Sequence, residues 1–208
     1  MRNVLDELAA AERVVSRREP DGTELVSALV RRSYDAAVPD VWSALTDPER
    51  LARWFAPVTG DLRPGGAFAV EGNAEGEVQG CEPPRRLTVT WGGPVSIVEV
   101  RLSERGGGTL LELEHTVPVE FVGSGAGALY VGPGWDVAVL GLAGFLRGDV
   151  VDDPAAWENT LAGQQAAARS IDAWAEAVRA GGTATEEEVD AGIAAARAQF
   201  TPDLVSGA

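Results

Sequence analysis

His115 is the one histidine and Cys81 the one cysteine in 208 residues, so acid–base and thiol chemistry each have a single address. His115 shares strand parity with Leu111 and Leu113, which points it inward near a strand end. Two readings stay open for it. One is a polar or acid–base group inside a cavity, since imidazole titrates near neutrality; the other is a structural histidine bonded to a backbone carbonyl. Cys81 has opposite parity to Val78 and no histidine or basic residue beside it, so a buried or edge thiol is expected rather than a nucleophile. One histidine and one cysteine cannot complete the usual zinc ligand sets, and no metal or other cofactor is expected. No serine or cysteine triad can be assembled around a single histidine. Glu75, Glu77 and Glu82 read as a solvated acidic strand face. Gly106–Gly108 reads as a hairpin turn that lacks the lysine and strand–helix context of a phosphate loop. What remains is apolar. Trp54, Phe55, Phe68, Val70, Trp91, Val98, Leu113, Trp135, Val139 and Leu142, with His115, are the inward-facing candidates for a pocket wall. Small-molecule pockets are mostly apolar with few polar anchors, but the same residues read equally as plain core.

Charge narrows the partners. The chain carries 17 basic and 32 acidic residues, a net −15, and every basic residue is arginine. Such a surface repels phosphate backbones and anionic lipid, so neither nucleic acid nor membrane insertion is expected. The Arg31–Arg32 and Arg85–Arg86 pairs are read as solvated strand ends, with local anion sites as the alternative. The first twenty residues are amphipathic and charged, unlike a signal peptide, and a lone cysteine suits a reducing compartment, so a cytoplasmic location is expected.

The elements that must position these residues follow from periodicity. Residues 1–22 read as an N-terminal helix and its turn, with Val4, Leu5, Leu8 and Val15 apolar. Thr23 to Tyr34 reads as a strand with Val26, Ala28, Val30 and Tyr34 on one face and Arg32 as the exception. Pro39 and Asp47-Pro48 open two short helices in succession. Strands are then expected at Ala67–Glu71, Glu75–Cys81, Arg86–Trp91, Val95–Leu102 and Thr109–His115, with turns about every ten residues, the rhythm of an antiparallel meander. Leu87, Val89, Trp91, Val98, Val100, Leu102, Leu111 and Leu113 face one way, and Glu99, Arg101, Glu112 and Glu114 the other. A sheet with one dry face requires a helix over it. Gly132–Gly148 supplies that helix: Trp135, Val139, Leu142 and Leu146 keep its period, and only Asp136 and Arg147 mark a polar edge. The run is too short and too glycine-rich for a membrane span. Val117 to Val131 is expected as a loop. Pro154 begins a long helix with Trp157, Leu161, Ala168, Ile171, Ala175 and Val178 on one face, Gly181-Gly182 ends it, and Thr185 with Glu188 forms a capping box for the next. These last helices are expected to dock on the outer side of the 133–147 helix.

This order is that of a helix-grip fold, and its motifs sharpen the match. Arg32-Ser-Tyr-Asp-Ala36, Val41-Trp42-Ser-Ala-Leu-Thr-Asp-Pro48 and Arg53-Trp54-Phe55 come first. Asp61-Leu-Arg-Pro-Gly-Gly66, Glu82-Pro-Pro-Arg-Arg-Leu87 with Trp91, Leu111-Glu-Leu-Glu-His115 and Gly132-Pro-Gly-Trp135 follow. Together they resemble the activator-of-Hsp90-ATPase-homologue (AHSA1-like) branch of the START/Bet v 1 (SRPBCC) superfamily over residues 23–148. The resemblance implies an α+β, Bet v 1-like curved antiparallel sheet of six strands wrapped around a long helix. Extra C-terminal helices occupy 149–208, and the whole is expected as a single domain. It also implies a cavity for a small apolar molecule between the sheet and the 133–147 helix. A cyclase or hydratase using that cavity with His115 is the alternative, and a protein-interaction module, chaperone-linked or homodimeric, is the third. Chaperone activation is the weakest inheritance, because eukaryotic activators use an additional N-terminal domain and residues 1–22 are too short for one.

Overall fold

The computed structural model describes residues 4–149 and 153–205. What was expected of residues 1–3, 150–152 and 206–208, at the ends of the N-terminal helix and in the extension, lies outside the described residues. Along the chain come α1 (Val4–Ala9), β1 (Glu12–Arg18), β2 (Leu25–Tyr34), α2 (Val38–Thr46) and α3 (Pro48–Leu51). Next are β3 (Val58–Gly60), β4 (Ala67–Val70), β5 (Glu75–Glu82), β6 (Arg86–Thr90), β7 (Ile97–Arg105) and β8 (Gly108–Pro118). The helices α4 (Val119–Val122), α5 (Ala128–Arg147), α6 (Pro154–Glu158), α7 (Leu161–Gly181), α8 (Glu186–Phe200) and α9 (Pro202–Val205) complete the chain. Among the described residues the strands form one open sheet in the order β1-β2-β8-β7-β6-β5-β4-β3, eight rather than six. With a long helix and further C-terminal helices, the class is the α+β helix-grip.

The chain divides into two compact units, residues 31–115 with 139–155, and residues 1–30 with 116–138 and 156–208. In the first, β3 to β7 pair antiparallel in registers such as Val58↔Val70, Phe68↔Gly76, Cys81↔Leu87 and Val89↔Val98. The expected alternation holds: Val89, Val98, Val100, Leu102, Leu111, Leu113 and His115 are buried. On the opposite face Arg31 pairs with Glu112 at 2.7 Å, and Arg86 and Arg101 pair with Glu99 at 2.6 and 2.5 Å. Arg31 and Arg86 are therefore rungs of a charge ladder. Arg32 departs from expectation: it is buried, with its guanidinium 5.6 Å from the Tyr34 ring centroid. Asp47 caps α3 as its sequence position predicted, accepting from the Glu49 amide at 2.9 Å. Within this unit the second half of α5 buries Val139, Leu142 and Ala143, and the Tyr34 hydroxyl donates to the Val139 carbonyl at 3.0 Å.

In the other unit the expected N-terminal helix is corrected. It stops at Ala9, and Glu12–Arg18 is a strand. The Arg13-Val14-Val15 run has the β-branched character of a strand, and Val15 is buried against α7, where a Cβ on Gly181 would meet the Val15 carbonyl at 2.4 Å. The expected loop at 117–131 is also corrected: α5 begins at Ala128, and Pro133 lies inside it instead of at its first turn. There proline withdraws the amide that would bond the carbonyl four residues back. Packing holds the helix all the same. A Cβ on Gly132 would strike the Trp174 ring of α7 at 2.5 Å, and one on Gly192 of α8 would strike Leu129 at 2.8 Å. The C-terminal helices thus dock on the first half of α5. The long helix expected from Pro154 is broken, because Thr160 caps a new start by accepting from the Gly163 amide at 3.0 Å. Leu161 consequently stands exposed rather than on the packed face. The capping box at Thr185 and Glu188 is present in both directions.

α5 is long and apolar enough to cross a membrane by length and composition. Its one acidic residue has a different use. Asp136 is fully buried, and its Oδ2 accepts from Arg13 Nε at 2.8 Å, from Trp174 Nε1 at 3.1 Å and from the Ser170 hydroxyl. Asp136, half of the polar edge that the sequence marks on this helix, is not at the surface. The reason it is not is the ring of donors brought to it by β1 and α7.

Candidate functional site

The unit of residues 31–115 and 139–155 contains an apolar cavity of about 240 Å³. Helices α2 and α3 and the turn after them contribute Trp42, Leu45, Thr46, Leu51 and Phe55. Val58 of β3, Leu62, and Phe68 and Val70 of β4 follow. The floor is Val78 and Cys81 of β5 with Leu87, Val89 and Trp91 on and just after β6. Of the residues expected to wall a pocket, Phe55, Phe68, Val70 and Trp91 come together here.

The other candidates lie elsewhere. Trp54 is buried with its indole donating to the Ala44 carbonyl at 3.0 Å, which ties the end of α3 to α2, and its ring lies 5.5 Å from Phe55. Val98, Leu113, His115, Val139 and Leu142 are buried in the same unit without lining the cavity, and Trp135 is buried in the other unit. Among the described residues the lining comes from α2, α3 and β3 to β6, and the 133–147 helix adds nothing to it.

Two backbone features shape the wall. The first is a β-bulge between Val78 and Gly80, where Val78 faces Val89 but Gly80 faces Thr88. The extra residue, Gln79, shifts parity by one, so Cys81 joins Val78 on the cavity side instead of opposing it. The opposite parity that simple alternation gives Cys81 and Val78 is corrected for this reason, and the thiol is half-buried. The second is Gly76, opposite Phe68. A Cβ there would come within 2.0 Å of the Thr90 carbonyl and 2.8 Å of the Phe68 ring, so only glycine lets the ring lie across the strand. Leu87 and Val89 share parity with Trp91 and were legible in the sequence. Val58 and Leu62 sit in short or irregular segments with no periodicity to reveal them.

Polar atoms are scarce in the wall. The Thr46 hydroxyl donates to the Trp42 carbonyl one turn back at 2.8 Å and is spent on its own helix. Burial pushes the Cys81 thiol above its ordinary value, so it is a neutral weak donor rather than a thiolate. No charged side chain is among the lining residues. Of the arginines next to lining residues in sequence, Arg50 lies over the Phe145 ring, 5.1 Å from its centroid, and pairs with Asp40 at 2.8 Å, Arg63 pairs with Asp61 at 2.8 Å and Arg86 with Glu99 at 2.6 Å; Arg53 also lies over Phe145, at 5.3 Å.

His115 is buried with its Nε2 2.7 Å from the Ser96 hydroxyl, and burial lowers its pKa to about 4. A neutral imidazole at physiological pH can hold a hydrogen bond in either direction, according to its tautomer. The Ser96 carbonyl accepts from the Trp91 amide at 2.9 Å, so His115 braces the turn that carries Trp91 into the cavity. Its placement is that of a positioning residue.

The family described as activator of Hsp90 ATPase homolog 1-like protein matches residues 35–146. The crystal structure of CalU16 from Micromonospora echinospora is 45% identical, with a TM-score of 0.64, over 81% of this chain and 98% of that one. Its solution structure gives 44% identity and a TM-score of 0.70 over 83% and 97%. DynU16, described as a protein of the dynemicin biosynthetic locus, is 28% identical with a TM-score of 0.54, over 60% of this chain and 48% of that one. No curated protein matches the chain.

Proposed function

The chain belongs to the activator-of-Hsp90-ATPase-homologue-like (AHSA1-like) branch of the START/Bet v 1 superfamily, and from that premise we propose that it binds a small apolar molecule in the cavity between α2, α3 and strands β3 to β6. One observation carries the reading: about 240 Å³ of space, walled almost wholly by apolar side chains, in a fold whose members generally bind small hydrophobic ligands. A well-packed interior leaves few voids larger than a water molecule, so a space of this size is more than imperfect packing. Membership of a biosynthetic locus by a relative, DynU16, supports a small molecule over a macromolecular partner. The proposed setting is the cytoplasm, consistent with one free cysteine and no disulfide.

Mass spectrometry of small molecules carried through native purification tests this directly. The wild-type chain is expected to retain an apolar compound, and Val89→Trp, which fills the cavity from its floor, is expected to lose it while remaining folded. A compound retained equally by both chains would place binding elsewhere.

A further inference from the structure

We infer that the cavity selects an uncharged, flat molecule of about two to three fused rings over chain-like or anionic ligands of similar size, an inference that rests on the binding reading above. Size comes first. An apolar cavity of about 150 Å³ holds benzene, and this one is about 240 Å³, room for further rings. Shape comes from the aromatic wall. Phe55 and Phe68 flank Trp91 with ring centroids 6.4 and 6.1 Å away and planes tilted by 38° and 42°, and Trp42 adds a fourth ring. Tilted rings around a central indole offer faces and edges to a planar guest, the offset and edge-to-face contacts that aromatic pairs prefer. These side chains are also stiff. Gly76 fixes where Phe68 lies, and the chain from His115 through Ser96 fixes the turn bearing Trp91, so the wall is preorganised for one shape.

Charge completes the selection. The Thr46 hydroxyl is committed to the Trp42 carbonyl, and Arg50 and Arg53 are held over Phe145. A ligand carboxylate would enter a wall without a cationic side chain and lose its hydration. A neutral ring system loses nothing comparable. The Cys81 sulfur, soft and polarisable, suits contact with a ring edge.

Equilibrium dialysis of the full chain against phenanthrene, phenanthrene carboxylate and decanol tests the selection, with alkylation of Cys81 by iodoacetamide reporting the place of binding. Phenanthrene is expected to bind at least about tenfold more tightly than either competitor and to slow alkylation of the chain's single thiol. Decanol or the carboxylate binding as tightly as phenanthrene overturns the inference and leaves the small-ligand reading intact. Binding by none of the three overturns both. Phenanthrene that binds without protecting Cys81 also overturns the inference, because the planar guest would then occupy another site.

Discussion

His115 and Gly76 show how single residues hold the cavity's shape without lining it. The unfolded imidazole takes up a proton near its ordinary value of 6.5, whereas the folded one resists until about 4. The folded pKa is the lower, so the unfolded chain binds the extra proton. Stability is present in full above about pH 6.5 and is lost as pH falls through that window, by roughly 3 kcal/mol in total. Denaturant midpoints measured from pH 7 to pH 4 are expected to show that slope in the wild-type chain and a shallower one in His115→Gln. Equal slopes would mean that other groups carry the pH dependence. Gly76→Ala is expected to cost about 1–3 kcal/mol, since the added carbon meets a carbonyl and the Phe68 ring together. It should also weaken ligand retention, because the ring that must move belongs to the wall. A variant of wild-type stability would show that β5 shifts freely.

At the scale of elements, the bulge in β5 and the buried pair joining β1 to α5 are the features sequence periodicity conceals. Deleting Gln79 restores simple alternation and is expected to turn Cys81 out of the wall. Faster alkylation of the thiol, no longer slowed by ligand, would show it; unchanged protection would mean that the strand re-forms its bulge elsewhere. Burial pushes the Asp136 carboxyl upward while Arg13 and then Ser170 and Trp174 pull it down. Asp136→Ala leaves Arg13 without its counter-ion at a site where that side chain is only 8% exposed. A loss of about 3–5 kcal/mol is expected by urea titration, and a loss below about 1 kcal/mol would mean that water reaches the pair. Strands β4 to β8 were legible because one face is dry, and alternation survives wherever that holds. β1 was not, since Val4, Leu5, Leu8 and Val15 also satisfy a helical period and only packing against α7 decides between the two. Pro133 misled for a related reason: local propensity favours it at a helix start, but Trp174 against Gly132 and Leu129 against Gly192 hold the turn before it. Most of the cavity wall escaped notice because α2, α3 and β3 reveal which side is inward only once folded.

For the whole molecule, charge and connectivity set the expectations. A net −15 spread over an arginine-only set of cations makes self-repulsion a global term. The melting temperature is expected to rise between about 0.01 M and 0.15 M salt, as the screening length contracts from about 30 to 8 Å. A flat or falling profile would show that attractive pairs such as the Glu99–Arg101 ladder dominate. Each of β2, β8 and α5 begins in one compact unit and continues in the other, so neither can melt without unravelling an element of its neighbour. Far-ultraviolet circular dichroism and tryptophan fluorescence are therefore expected to report one coincident transition, and two separated ones would refute a single cooperative domain. The last strand, β3, is three residues long, ends the sheet, and contributes Val58 to the cavity wall. An edge so brief breathes before the strands behind it. If the proposed ligand enters past this ribbon, its binding is expected to slow deuterium uptake at Thr59 and Gly60, and equal uptake with and without ligand would place the entrance elsewhere.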